Sequence, residues 1–317
     1  MNRSRILRAD LMLLALAILW GYGFIAQKWA MLNIGPLTFV TIRLLLGTLV
    51  LLPFLYLGKR AAPRVKTSSR ALIPMLIGVV IAVFLGTWLQ QVGLMTTEVG
   101  TASFITGLYV IFTPLLGLFV GYYIRSLTWI AILVAVVGLF LLSVAGRPVL
   151  NIGDLLVLVC AIAWGAQLLF VGWLAPRMDM IQLAVIQLAG AAIISLILTP
   201  IFEPVSFSAI LAAKWELLYS GILASGVAFI LQAWAQQDAP PAHAAILISL
   251  ESVFGLAFGW WILDEELTNI QLIGCGLMLA AIIVAQIKPP RQAFFQEDDS
   301  NASLPRHEDD QRSHEPA

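Results

Sequence analysis

This sequence repeats itself. Asp10-Leu11 and Ala17-Ile18-Leu19-Trp20-Gly21 recur 144 positions later as Asp154-Leu155 and Ala161-Ile162-Ala163-Trp164-Gly165, and Leu89-Gln90 recurs 142 positions later as Leu231-Gln232. The repeat lies in a chain that is 60% hydrophobic and only 11% charged, with a mean hydropathy of +0.93. A soluble domain carries about 25% charged residues, so the solvent that fits this composition is lipid. A duplicated apolar chain is restricted to two related helical bundles, the arrangement in which secondary transporters place a substrate where the copies meet.

Crossing the hydrocarbon core takes about 20 apolar residues. Ten stretches meet that length, at roughly 11–30, 36–57, 72–94, 101–122, 127–145, 153–174, 181–201, 215–236, 242–262 and 269–287. Turn chemistry separates them, as in Asn33-Ile34-Gly35-Pro36, Gly146-Arg147-Pro148 and Asp238-Ala239-Pro240-Pro241. The expected fold is therefore an all-α membrane protein of ten transmembrane helices. Residues 9–145 form a first five-helix repeat and 151–287 a second. Five is odd, so the second copy enters the membrane from the opposite side and the repeats are inverted. Residues 289–317, with Glu297-Asp298-Asp299 and Glu308-Asp309-Asp310, read as a disordered acidic cytoplasmic tail.

Arg3, Arg5 and Arg8 before an apolar run resemble a signal peptide. The mid-chain counterpart at 153–174 argues instead for a retained first span. With the N-terminus inside, one face collects Arg3, Arg5, Arg8, Lys59, Arg60, Arg64, Lys66, Arg70, Arg125, Arg177, Lys288 and Arg291, and the other little more than Arg147 and Lys214. That places both termini in the cytoplasm of a multi-pass plasma-membrane protein, or an inner-membrane one in a Gram-negative cell. The acidic residues Glu98, Glu203 and Asp264-Glu265-Glu266 fall outside, with little weight in this rule. Net charge is zero and the basic residues are scattered, which excludes a nucleic-acid partner. Cys160 and Cys275 lie within apolar runs and read as small hydrophobes; no metal or other cofactor is implied.

Specific residues then narrow the class. The run Thr101-Ala102-Ser103-Phe104-Ile105-Thr106-Gly107-Leu108-Tyr109-Val110-Ile111-Phe112-Thr113-Pro114-Leu115-Leu116 has a counterpart in Ser249-Leu250-Glu251-Ser252-Val253-Phe254-Gly255, continuing through Leu263-Asp264-Glu265-Glu266-Leu267-Thr268 to Gly274. These resemble the fourth and ninth spans of EamA-type members of the drug/metabolite transporter superfamily. Pro36 and Arg43 match the second-span pattern, and Trp20-Gly21 and Trp164-Gly165 the first and sixth. The resemblance covers about residues 9–287. It implies a cavity lined by spans 1, 3, 4, 6, 8 and 9, braced by spans 5 and 10, in proteins that are often exporters. The chain departs from the pattern at Ser252, where such proteins often have proline, at Asp264, where they often have glycine, and near Tyr123, where an acidic residue is expected.

Glu251, near the middle of span 9, is the sharpest candidate, because a charged side chain at mid-bilayer costs about 2.5–3.5 kcal/mol on insertion scales. It serves either a substrate ammonium or proton, or a structural pair. Arg43 is the basic residue deep within a span, a structural ion-pair partner or a site for a substrate carboxylate. Gln90 and Gln232, and Trp20 and Trp164, are repeat-equivalent pairs. With Tyr109, Trp88 and Gln167 they are cavity candidates, interhelical packing being the alternative. His243, at a loop edge, has no assigned mechanism. Gly117/Gly121 and Gly255/Gly259 are small-residue patterns for close packing within the monomer.

The expected function is alternating-access movement of a small organic metabolite, an amino acid or related amphipathic compound, in the outward direction that the resemblance implies. The alternatives are a multidrug-type exporter of the same fold and an intramembrane enzyme acting on lipid or peptide. The enzyme reading lacks a buried Ser/His pair, a His-rich metal cluster and paired intramembrane aspartates. Substrate identity, direction, ion coupling and the choice between monomer and homodimer are not encoded in residue spacing.

Overall fold

Backbone N–H and C=O groups in hydrocarbon must be satisfied within the chain, so an apolar run of this length folds as a helix. The computed structural model describes residues 3–57, 67–120, 126–144, 151–174, 177–238, 247–266 and 268–287, and all their regular structure is helical. In chain order the helices are α1 (Arg3–Ala30), α2 (Pro36–Leu57), α3 (Ser69–Gly93), α4 (Val99–Gly107), α5 (Tyr109–Gly117), α6 (Ser126–Val144), α7 (Ile152–Leu174), α8 (Met180–Phe202), α9 (Phe207–Ala212) and α10 (Lys214–Leu218). A π-helical segment (Tyr219–Val227), α11 (Ala228–Asp238), α12 (Glu251–Leu263) and α13 (Asn269–Ile287) follow.

Among the described residues, seven stretches are long and apolar enough to cross a bilayer, and three shorter apolar ones, Trp129–Gly138, Leu247–Leu263 and Asn269–Ala281, occupy the places of spans 5, 9 and 10. Two spans are less regular than hydropathy suggests. Span 4 is divided into α4 and α5, and span 8 runs through α10, the π segment and α11. Hydropathy reports apolarity, which a broken helix shares with a continuous one. His243 and the 289–317 tail lie outside the described residues.

Local chemistry fixes several helix starts. Asp179 Oδ1 accepts the N–H groups of Ile181 and Gln182 at 3.0 and 3.1 Å and caps α8. Asn151 Oδ1 takes the N–H groups of Gly153 and Asp154 at the head of α7. Packing then pairs helices from before residue 145 with helices from after residue 151: α2 with α8, α3 with α7, α6 with α13, α1 with α11 and α12, α4 with α12, and α5 with α7.

Two main apolar clusters result. One joins Leu13, Leu16, Phe104, Tyr109, Ala161 and Met278; the other joins Phe39, Val40, Leu44, Val83, Leu188 and Phe229. Trp20 and Trp164, equivalent in the repeat, each pack against both. The glycines beside them allow that position. A Cβ on Gly21 would lie 2.5 Å from Phe254 Cβ, and one on Gly165 would lie 3.1 Å from Phe112 Cβ. Leu133, Val136, Val137 and Phe140 of α6 and Ile270 and Ile273 of α13 are exposed, an apolar surface suited to acyl chains. Below, the upper end of the bundle is the one where α1 and α8 finish and α2 and α4 begin.

Candidate functional site

Spans 4 and 9 break at equivalent residues. Leu108 (φ −63°, ψ −10°) separates α4 from α5, and Leu250 (φ −61°, ψ −14°) precedes α12. The Leu108 N–H donates to Ile105 O at 3.1 Å and that of Leu250 to Leu247 O at 3.3 Å, three residues back rather than four. The ladder then resumes, with Phe112 N donating to Leu108 O and Phe254 N to Leu250 O, both at 3.0 Å. The first residues after the breaks are Tyr109 and Glu251, and the tyrosine hydroxyl faces the carboxyl group. They are 7% and 5% exposed, so the pair is closed off from solvent.

Polar side chains gather around it. Gln90 Nε2 donates to Thr106 Oγ1 at 3.3 Å. Cys160 stands beside Trp164, Thr106 and Gln90, within the electrostatic reach of Glu251. The Trp164 ring lies so close to α3 that a Cβ on Gly86 would meet it at 2.9 Å. Of the sequence candidates, Glu251, Tyr109, Gln90 and Trp164 thus share one neighbourhood. Thr106 and Cys160 join them, unsignalled by residue type.

The other candidates have different engagements. Trp20 Nε1 donates to Ala224 O at 2.8 Å, and its ring meets Phe229 edge-on at 6.0 Å. Gln167 Nε2 donates to Gln187 Oε1 at 2.7 Å, Trp88 stacks on Phe84 at 5.8 Å, and Gln232 is buried. Arg43 Nε donates to Ser225 Oγ at 3.0 Å in the π segment, while its Nη1 is buried without a hydrogen-bond partner. No ion pair joins Arg43 to Glu251. Among the described residues no group of three His, Cys, Asp or Glu side chains could hold a metal ion.

Loop carboxylates given little weight in the sequence tie the upper end together. Glu203, at the end of α8, accepts the N–H groups of Leu37 and Thr38 at 2.8 and 2.9 Å and the Thr38 hydroxyl at 2.9 Å. Glu265, after α12, accepts the N–H groups of Val99 and Gly100 at 2.6 and 2.8 Å. In both clasps a carboxylate from the second half meets free donors and the positive dipole end of a first-half helix. The sequence separations, 166 and 165 residues, are also the same.

Further contacts reinforce this end. Thr41 Oγ1 meets Ser195 Oγ and Thr199 Oγ1 at 2.6 and 2.8 Å, and Thr97 Oγ1 donates to Asp154 Oδ1 at 2.9 Å. Lys28 Nζ donates to the carbonyls of Leu94 and Thr97 at 2.7 and 2.8 Å. Burial raises the Glu265 carboxyl above its ordinary range and Glu98 adds to the rise, while the two N–H donors and Lys28 oppose it.

Two departures from the resemblance acquire reasons here, while the third, near Tyr123, lies outside the described residues. Ser252 Oγ donates to Ser103 O at 2.9 Å and Ser103 Oγ to Ser252 O at 3.1 Å, an exchange that proline in place of Ser252 would halve. Asp264 has φ 52°, the left-handed geometry that favours glycine at a helix end. Gly255 packs on Ser103, where a Cβ would meet the serine Cβ at 2.5 Å, so this small-residue position serves contact within the chain.

Comparison with known proteins agrees with this architecture. The EamA-like transporter family matches residues 7–144 and again 151–286. An uncharacterized transporter of Archaeoglobus fulgidus is 33% identical over 283 residues, covering 89% of this chain and 87% of its own length. The uncharacterized transporter YoaV of Bacillus subtilis is 27% identical over 282 residues, covering 86% and 94%. A solved crystal structure with 18% identity superposes with a TM-score of 0.63 over 88% of this chain and 98% of its own, a likeness of fold.

Proposed function

The chain belongs to the EamA-like transporter family, a multi-pass membrane transporter, and we propose that it is a secondary carrier whose substrate site lies at the paired breaks of spans 4 and 9. The observation that carries this reading is the meeting of Tyr109 and Glu251 immediately after Leu108 and Leu250. Broken helices at mid-membrane are where carriers hold substrates and coupling ions, because the interruption leaves polar backbone that only a cavity or a ligand can satisfy. Glu251 supplies a negative charge for a substrate ammonium or an exchanging proton. Tyr109, Gln90 and Thr106 supply neutral hydrogen-bonding groups, and Trp164 an apolar wall. That chemistry suits an amino acid or a related amphipathic metabolite.

Alternating access follows from two inverted five-span copies, at 9–145 and 151–287, exchanging conformations. The clasps at the upper end, external under the charge-bias orientation with both termini in the cytoplasm, keep that end shut in this conformation. In the lower half the Thr113 hydroxyl donates to Gly165 O at 3.4 Å between the halves. Release to the outside then requires the clasps to part, and export is the direction the resemblance favours.

Reconstituted vesicles tested with a panel of amino acids and amphipathic amines should show saturable flux. Glu251→Gln should abolish it while the purified protein keeps its helical signal and detergent unfolding midpoint. Flux through Glu251→Gln at the wild-type rate and with the wild-type pH profile would remove the site from this position.

A further inference from the structure

A second recognition surface lies away from the Tyr109–Glu251 pair. At the upper end, α1 and the α10–π region enclose a groove of about 500 Å³ whose lining includes Tyr22, Trp29, Trp215, Tyr219, Glu216 and Leu223. That volume falls within the range that takes drug-sized ligands.

Its chemistry is uneven. Four aromatic rings form most of the polarisable wall, and Tyr22 and Tyr219 meet edge-on with centroids 4.8 Å apart. Tyr219 is fixed by its hydroxyl, which donates to Leu19 O at 2.8 Å. Among these rings sits one carboxylate. Glu216 Oε2 is shielded from solvent and has no hydrogen-bond partner. A shielded, unpartnered carboxylate oxygen is costly unless a donor or cation arrives. The tyrosine and tryptophan faces carry negative quadrupole potential, which attracts cations and above all organic ammonium groups. One ring already receives a cation, since Lys214 Nζ lies 5.5 Å from the Trp215 centroid.

We propose that this groove is a binding site for an organic ammonium ion bearing an aromatic or branched alkyl body, its charge on Glu216 and its apolar part among Tyr22, Trp29, Trp215 and Tyr219. A metabolite carboxylate is excluded by Glu216, and a neutral hydrocarbon leaves Glu216 Oε2 unsatisfied. The site stands independently of the carrier reading, because it is defined by binding and not by flux.

Isothermal titration of the purified full-length chain in detergent with benzyltrimethylammonium tests it. Saturable binding is expected, about tenfold weaker in Glu216→Gln because a charge-assisted contact is lost. Trp215 is 67% exposed, so Trp215→Leu leaves folding intact and should weaken binding about three- to fivefold. The loss on Glu216→Gln should also appear in a Glu251→Gln background, where the central carboxylate no longer holds an ammonium, and the neutral isostere neopentylbenzene should not bind. Equal affinity with and without Glu216→Gln in that background would overturn the assignment. In nanodiscs, displacement of the probe by phosphatidylethanolamine against a phosphatidylglycerol background would assign the groove to a lipid amine and overturn the soluble ligand.

Discussion

The two clasps at the upper end share a geometry and differ in almost everything around it. Glu203 leaves α8 on extended backbone (φ −134°, ψ 137°) and gains a third donor from the Thr38 hydroxyl. Beside it stands the neutral hydroxyl contact of Thr41, Ser195 and Thr199. Glu265 is delivered by the left-handed turn at Asp264, accepts two donors, and lies near the charges of Glu98 and Lys28. The lesson is that one capping solution serves two mechanical purposes. The Glu203 clasp staples α2 to α8. The Glu265 clasp joins α12, which carries Glu251, to α4, which ends two residues before Tyr109, and its strength depends on protonation.

The largest expected effect separates the two directly. Glu203→Ala leaves two backbone donors and a hydroxyl without their acceptor and should cost about 2–4 kcal/mol. Glu265→Ala removes a carboxylate already opposed by burial and by Glu98, and should cost about 1–2 kcal/mol. Chemical unfolding of both variants in the same detergent checks the order, and a larger loss at Glu265 would reverse the comparison.

A pH titration sharpens it. The folded-state pKa of Glu265 is raised, chiefly by burial, so the stability linked to its protonation is fully present below the ordinary carboxylate value. It is lost as pH rises through the raised value. The unfolding midpoint of the wild type should therefore fall across that window relative to Glu265→Gln. A slope that survives in Glu265→Gln would assign the titration elsewhere.

The smallest effect concerns the backbone that carries each carboxylate. Asp264→Gly relieves a side chain held at φ 52° and should stabilise the protein by about 0.5 kcal/mol. Thermal unfolding in detergent reads this, and a destabilised Asp264→Gly would mean that the aspartate side chain itself supports the turn.

How much of this was legible in the sequence depends on the range of the force involved. Hydropathy is local, so the membrane-length apolar stretches and the duplicated family pattern can be read residue by residue. Glu251 stood out in the sequence as a charge within an apolar span, and Tyr109 as part of the fourth-span run. The clasps were not, because Glu203 and Glu265 meet donors more than 160 residues away and look like ordinary loop charges. Nor were the breaks, since neither Leu108 nor Leu250 is a glycine or proline. Gln167 found Gln187, and Arg43 found Ser225, through helix pairings that spacing along one helix does not specify.

Tyr109 and Glu251 occupy the same position in the two copies, yet they face each other. A position that meets its own counterpart can do so only on the axis relating the copies, where two identical chains would present identical residues. Glutamate would face glutamate, at the expense of charge repulsion, or tyrosine would face tyrosine, with no charge at all. Fusing both copies into one chain removes that restriction and lets a single carboxyl group sit opposite a hydroxyl. Covalent linkage thus gives this protein a heterogeneous centre that no strictly symmetric pair of its halves can build.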